Sequence, residues 1–255
     1  MTFPNLPGKH ALPALFQPHE APRHALRKQT ALPSGVVMVY SARLRDEVLE
    51  RHTSRRIEGF FGDYHLVDVA GGQVGLLSGF GIGGPAAACV LEEAIASGAV
   101  RAISIGGAGG LRVGQAPGDL VVCDRAVRDE GVSHHYLAPA RYVRPDEELT
   151  ARLIEALKER GRQVQVGGTW TTDAIYRETR QEVLAYREEG VLTVEMEAAS
   201  LAAVARYRGV SFATGVAVMD SLAEESWAPE GLVAAAAFAA LNALFDAAAA
   251  VLVAG

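Results

Sequence analysis

Glu195-Met196-Glu197 places two carboxylates one residue apart in a stretch otherwise short of charge. Upstream, residues 191–194 form an apolar, β-branched run that reads as a buried strand. Downstream, residues 198–207 have helix-forming composition, and Gly209 stops them. The pair therefore sits at a strand-to-helix junction. Where the chain is extended, residues two apart share a face; in a helix they diverge by about 200°. A carboxylate in such a junction is costly to bury unless something donates hydrogen bonds to it. Neighbouring sugar hydroxyls suit that task, because one carboxylate can accept from two of them. The competing reading is a pair of surface glutamates, favoured there by the helix macrodipole.

Two glycine clusters could serve the same ligand. Gly79-x-Gly81-x-x-Gly84 follows a strand and precedes a helix, which meets the minimal dinucleotide fingerprint. That fingerprint also needs an acid at the end of the next strand, to hold a ribose hydroxyl. The next strand ends Ser104-Ile105 and runs into Gly106-Gly107-Ala108-Gly109-Gly110, with no acid, so nicotinamide binding is rejected. What remains is two strand-end glycine turns able to bring backbone N–H groups to a ligand.

These groups need a large scaffold, and the chain has one. It holds 255 residues, 49% of them hydrophobic, enough for one substantial α/β domain. A net charge of −6 argues against nucleic acid as a partner. Cys89 and Cys123 form no CxxC pair, which fits a reduced, cytoplasmic protein, and no signal peptide is visible. Residues 232–254 are apolar but alanine-rich, with Asp246 inside; they read as a helix on the sheet, not a membrane span. Residues 1–33, rich in proline and histidine, read as an extended N-terminal arm that could reach a neighbouring subunit. Residues 34–255 form the domain. Strands are expected at 36–40, 64–69, 74–78, 101–105, 119–124, 164–168 and 211–219, with a Gly71-Gly72 turn. Helices are expected at 43–51, 85–97 and 146–160. The pattern is alternating α/β.

Six segments in order now carry a resemblance. They are Gly81-Ile82-Gly83-Gly84-Pro85, Gly106-Gly107-Ala108-Gly109-Gly110-Leu111, and Glu130-Gly131-Val132-Ser133-His134-His135-Tyr136. Thr171-Thr172-Asp173-Ala174-Ile175-Tyr176, Val194-Glu195-Met196-Glu197-Ala198-Ala199 and Val218-Met219-Asp220-Ser221 complete them. From about residue 36 to 222 the chain resembles the nucleoside phosphorylase family of the uridine and hexameric purine type. The resemblance implies a single-domain, three-layer α/β fold around a mixed, partly closed central sheet flanked by helices. It implies phosphorolysis of the N-glycosidic bond of a uridine or purine nucleoside, giving free base and ribose 1-phosphate. It implies a homo-oligomer, dimer or trimer of dimers, with shared active sites, no cofactor beyond phosphate as co-substrate, and no metal.

Residue by residue, Glu197 matches the carboxylate on the ribose 2′ and 3′ hydroxyls and Met196 the residue beneath the sugar. Glu195 matches a second carboxylate near the base. Gly109, with Ala108 beside it, lies where backbone approaches the base. Asp220 matches the acid at N7 of a purine and joins Glu197 as a catalytic candidate. Thr179, Arg180 and Gln181 occupy the stretch where a Gln/Arg pair reads uracil, so Thr179 and Gln181 are base-binding candidates. Phosphate falls to Arg45, Gly83, Gly107 and Ser104. Ser41 stands where a glycine is usual, Ser104 and Phe61 where arginines are, and Arg55 and Arg56 lie close to the latter. A serine does not replace an arginine's bidentate fit to phosphate. Two alternatives stay open: a nucleosidase that uses water, and a non-catalytic nucleoside sensor. His134 and His135 with Glu130 do not make a metal set; His135 is expected to be structural. His10, His19 and His24 are candidates for a neighbour's 5′-hydroxyl. Cys89 is expected in the core, and Asp173 is expected to fix a loop.

Overall fold

All five residues of β1 (Gly35–Val39) are buried, the pattern of a parallel strand covered by helices on both faces. The computed structural model describes residues 3–20, 31–59, 61–69, 71–223 and 227–254. After β1 come α1 (Ala42–Arg51), β2 (Ser54–Ile57), β3 (Asp63–Val69), β4 (Gly72–Ser78), α2 (Gly84–Ala96) and β5 (Arg101–Gly110). Then follow β6 (Leu120–Asp129), α3 (Ser133–Tyr136), β7 (Tyr142–Val143), α4 (Glu147–Glu159), β8 (Val164–Thr172) and α5 (Arg180–Glu188). The chain ends with β9 (Val191–Glu195), α6 (Ala198–Arg208), β10 (Ser211–Ser221) and α7 (Ala235–Val253).

The described strands form one mixed sheet in the order β10-β6-β8-β9-β5-β1-β4-β3-β2, and β10 also pairs with β5. That extra pairing closes β5, β10, β6, β8 and β9 into a ring, while β1 to β4 fan out as an open wing. The sheet is thus partly closed, as expected. One face is covered by α1, α4 and α7, whose Leu44, Leu153, Leu244 and Phe245 pack with Val37 and Ile103. The other is covered by α2 and α6, where Leu91 and Leu201 meet Met38 and Phe212. Each such large side chain taken from water contributes about 1.5–3 kcal/mol.

Helix α7 is long and apolar enough to cross a bilayer by length and composition, but most of it is buried within the fold. Its polar residues face α1: Arg51 donates to Asp246 at 3.1 Å and to Asn242 at 2.8 Å. In the arm, residues 3–20 lie against their own chain. The Phe3 ring meets His134 and His135 edge-on, and Lys9 Nζ is 2.8 Å from His135 Nδ1. Residues 21–30, with His24, are outside the described residues.

Two expectations need correction, and some elements were not anticipated. The second glycine cluster is not a turn: β5 continues through it to Gly110, paired with β10 on one side and β9 on the other. Glycine is required there by packing, since a Cβ at Gly109 would lie 2.5 Å from Leu222 and 3.0 Å from Val194. Cys89 is exposed on α2, not in the core. The stretch at 179–181 is the start of a helix, α5, which has only Val183 and Tyr186 buried and so shows little periodicity. Strands β2 and β7 and the short α3 were also not anticipated.

Candidate active site

Strand β9 ends at Glu195 and α6 begins at Ala198, with Glu197 as the N-cap residue. Both glutamates are buried, 8% and 7% exposed, which removes the surface reading. Glu195 is saturated. Its Oε1 accepts from Thr171 Oγ1 at 2.6 Å; its Oε2 accepts from the Glu197 and Ala198 amides at 2.8 and 2.7 Å. It therefore satisfies the opening amides of α6; burial raises its pKa, and those donors act in the opposite direction. Its oxygens are engaged by the junction rather than turned to a base.

Glu197 differs. Its Oε1 accepts from the Gly83 amide at 2.5 Å. Burial first, then the neighbouring Glu195 charge, pushes its pKa to about 8. Gly83 holds φ at 94°, a conformation that favours glycine and aims its N–H at the carboxylate. Met196 reaches the same spot, its Cε 4.0 Å from where a Gly83 Cβ would be. A third buried carboxylate, Glu130, accepts from Ser133 N at 3.0 Å and Ser200 Oγ at 2.6 Å. Ser200 Oγ in turn sits where a Cβ at Gly84 would be, so the Gly83-Gly84 turn is seated directly on α6.

Gly109 joins this end to a second one. It pairs with Val194 of β9 and with Asp220 of β10, and Asp220 Oδ1 is 3.3 Å from where its Cβ would stand. Ala108 precedes it in the same strand. Asp220 follows a register shift in the β10–β5 pairing, and its Oδ2 accepts from Trp227 Nε1 at 2.5 Å. Burial raises its pKa, against the effect of that indole donor. Glu178, just before α5, has its pKa raised to about 7 by burial and by Asp220. The Asp220 charge thus acts on Glu178 at this second end. Arg180 secures this arrangement by donating to the carbonyls of Leu222 and Ala223 at 3.3 and 3.0 Å.

Of the remaining candidates, Thr179 is occupied as the N-cap of α5, in a capping box with Glu182, and Gln181 is exposed. Arg45 donates to Asp46 at 2.8 Å and to Asp63 at 3.4 Å. Gly107 lies within β5 against Met219. Ser104 Oγ is 2.9 Å from Tyr40 OH. Phe61 is exposed, and Arg56 pairs with Asp63 at 2.7 Å. Asp173 accepts from the Gly131 amide at 2.7 Å and so fixes its loop. Among the described residues no group of three His, Cys, Asp or Glu could hold a metal.

Tyr40, Glu178 and Trp227 are site residues that sequence reasoning missed. Nothing in their spacing marks them, because each becomes meaningful only through a partner on another element. The Thr179-x-x-Glu182 capping box was the one available signal, and it would have placed a helix start beside Glu178.

Comparison with known proteins gives the family. A guanosine phosphorylase of Halorubrum lacusprofundi is 32% identical over 130 residues, covering 51% of this chain and 54% of that protein. A uridine phosphorylase of Thermococcus kodakarensis is 32% identical over 180 residues, 66% and 63% of the two chains. A DeoD-type purine nucleoside phosphorylase of Shewanella denitrificans is 29% identical over 175 residues, 66% and 70%. The match thus spans between about half and two thirds of the first two relatives. The model of the phosphorylase superfamily matches residues 30–253, nearly the whole described fold, and the chain belongs to that superfamily.

Proposed function

We propose that this protein is a nucleoside phosphorylase that cleaves the N-glycosidic bond of a purine ribonucleoside with phosphate, releasing the base and ribose 1-phosphate. The observation that carries the reading is Glu197: a buried carboxylate with backbone donors at Gly83 and Met196 and spare acceptor capacity. Hydroxyls at ribose C2′ and C3′ would complete its shell. As the C1′–N bond stretches, positive charge grows on the sugar ring; the ribose hydroxyls, by donating to Glu197, favour its ionised form, and that negative charge lowers the barrier. The base leaves with electron density at N7, where Asp220, its pKa raised by burial, would in its protonated form donate a hydrogen bond or a proton.

The acid pair at the base end supports a 6-oxopurine. An ionised Glu178 accepts two parallel N–H bonds from N1 and the 2-amino group of guanine. Adenine offers a lone pair at N1, and uracil a single N–H between two carbonyls, so both fit a carboxylate less well. The relatives named guanosine phosphorylase and purine nucleoside phosphorylase fit this class, whereas the one named uridine phosphorylase does not. The same reading makes the protein a cytoplasmic homo-oligomer with shared sites.

Hydrolysis is the second reading, and Arg45 favours it: its guanidinium is held by Asp46 and Asp63 rather than left open to an anion. Incubation of guanosine, inosine, adenosine and uridine with and without inorganic phosphate decides between the two. Phosphorolysis predicts ribose 1-phosphate, fastest from guanosine or inosine, and no release of base without phosphate. Free ribose at full rate in phosphate-free buffer would establish the nucleosidase.

A further inference from the structure

A second cavity lies at the opposite end of β9 from Glu195 and Glu197. Its volume is about 770 Å³, and its lining brings together Arg112 from the loop after β5, Arg125 of β6 and Arg187 of α5. Gly190, just before β9, also lines it; from there to Glu195 is roughly 16 Å of extended chain. Among the described residues Asp124 is the one carboxylate in the lining, and Arg125 pairs with it at 3.0 Å. A chain of net charge −6 thus holds a hollow in which positive charge predominates.

The three guanidinium groups differ in what they have left to give. Arg125 is spent: besides Asp124, it donates to the carbonyls of Glu189 and Gly190 at 3.1 and 3.4 Å. Glycines make room for it, since a Cβ at Gly168 would lie 3.3 Å from its Nε and one at Gly190 3.4 Å from its Nη2. Arg125 therefore ties β6 to the turn before β9 and fixes one wall. Arg187 gives Nη1 to the Ala223 carbonyl at 3.3 Å and keeps Nε and Nη2. Arg112 gives nothing. Its backbone amide is held by Gln115 Oε1 at 2.9 Å, and its guanidinium has no partner among the described residues. In the same lining Val113 and Val166 are 67% and 47% exposed, an apolar surface beside the two available cations.

We propose that this cavity binds a phosphate monoester of nucleotide size, with its phosphate on Arg112 and Arg187 and its base or sugar against Val113 and Val166. A monoester dianion carries three terminal oxygens, which suits two planar forks arriving from separate elements. The volume falls in the range of small-molecule sites and is far larger than an inorganic anion needs. The site stands whether the nucleoside is cleaved by phosphate or by water.

Calorimetric titration of guanosine 5′-monophosphate tests this on wild type, Arg112→Ala, Arg187→Ala and the double variant. Each single change is expected to weaken binding about 10-fold, and the double change further still. In Arg112→Ala, kcat/KM on guanosine should move less than about twofold, because that residue touches nothing at the nucleoside site. Arg187 is kept out of the kinetic comparison, since it also holds the Ala223 carbonyl. Displacing the bound nucleotide with inorganic phosphate should take at least about 10-fold more of the anion, if the apolar wall contributes. Wild type that does not bind the nucleotide, or unchanged affinity in both singles, would overturn the proposal. A parallel loss of guanosine kcat/KM in Arg112→Ala would overturn it too, by moving the nucleotide to the nucleoside site. Displacement by inorganic phosphate at equal concentration would overturn the nucleotide assignment. Should Arg187→Ala fail to fold, Arg112→Ala, which removes no contact, carries the comparison.

Discussion

The two ends of the site are built differently. At the proposed sugar end, Glu195 of β9 with Thr171 of β8, and Ser200 of α6 with Glu130 and Ser133 from the stretch after β6, bond to one another and to backbone amides, all buried, around one strand-to-helix junction. At the proposed base end, Asp220, Glu178 and Trp227 come from a strand end and two loops, and Trp227 is 61% exposed. The first arrangement is over-determined: removing one partner leaves several buried groups unsatisfied. The second is held by a few replaceable contacts. A superfamily that keeps the ribose and varies the base is served by that division, since loops can change without touching the packed junction.

The contrast predicts a graded series of effects. Glu195→Ala should do most damage, because it strands the Thr171 hydroxyl and two buried amides at once. Destabilisation on the order of 3–5 kcal/mol is expected, read as a drop in melting temperature of about 10 °C with activity lost on every nucleoside. A variant that melts like wild type would show that the junction is not held this way.

At the base end the expected losses are smaller and selective. Asp220→Asn should lower kcat/KM on purine nucleosides about 10-fold and spare uridine. Glu178→Gln should cut the preference for guanosine over adenosine by a similar factor. Uniform losses across all bases, measured in one substrate panel, would remove the distinction between the two ends.

The sugar end should also show itself in stability against pH. Glu197 ionises near 8 in the folded protein and near 4.5 without the fold. Between those values the native state binds more protons than the unfolded state, so stability falls as pH rises through that window. Glu197→Gln should flatten this decline and melt about 3–6 °C above wild type at pH 9, although it is the less active protein. The smallest effect is expected from Trp227→Phe, which removes one donor to Asp220: about a threefold change in kcat/KM. The pH limb assigned to Asp220 should move upward, because the lost N–H favoured its ionised form. An unmoved limb would dissociate Trp227 from that acid.

Legibility in the sequence followed the same division. The β9–α6 junction could be read because it is contiguous: a β-branched run, two spaced acids and an alanine-rich helix state it locally, whereas Thr171, Glu130 and Gly83 reach it from other elements. The helix of residues 147–159, capped by Asp146, was readable for the same reason. The path of β5 through its glycines was not. Glycine marks a turn in isolation, and only the packing of Tyr40, Met219, Leu222 and Val194 against that strand explains its absence of side chains. Glu178 and Trp227 could not be found, since they acquire a role from Asp220, which is distant in sequence from the former and reached by a returning loop for the latter. That loop returns through paired hydrogen bonds between Ser221 and Ala228. Cys89 was misplaced because α2 is apolar nearly all round, so its exposed stripe has no sequence signature.

The most direct test of the central claim pairs Glu197→Gln with removal of one ribose hydroxyl. The kcat/KM values of wild type and variant are compared on guanosine and 2′-deoxyguanosine. If Glu197 holds the diol, the variant loses about 10- to 100-fold on guanosine. Its loss on the deoxynucleoside is several-fold smaller, because one of the two bonds is already missing there. Equal losses on both substrates would contradict the assignment of Glu197 to the ribose.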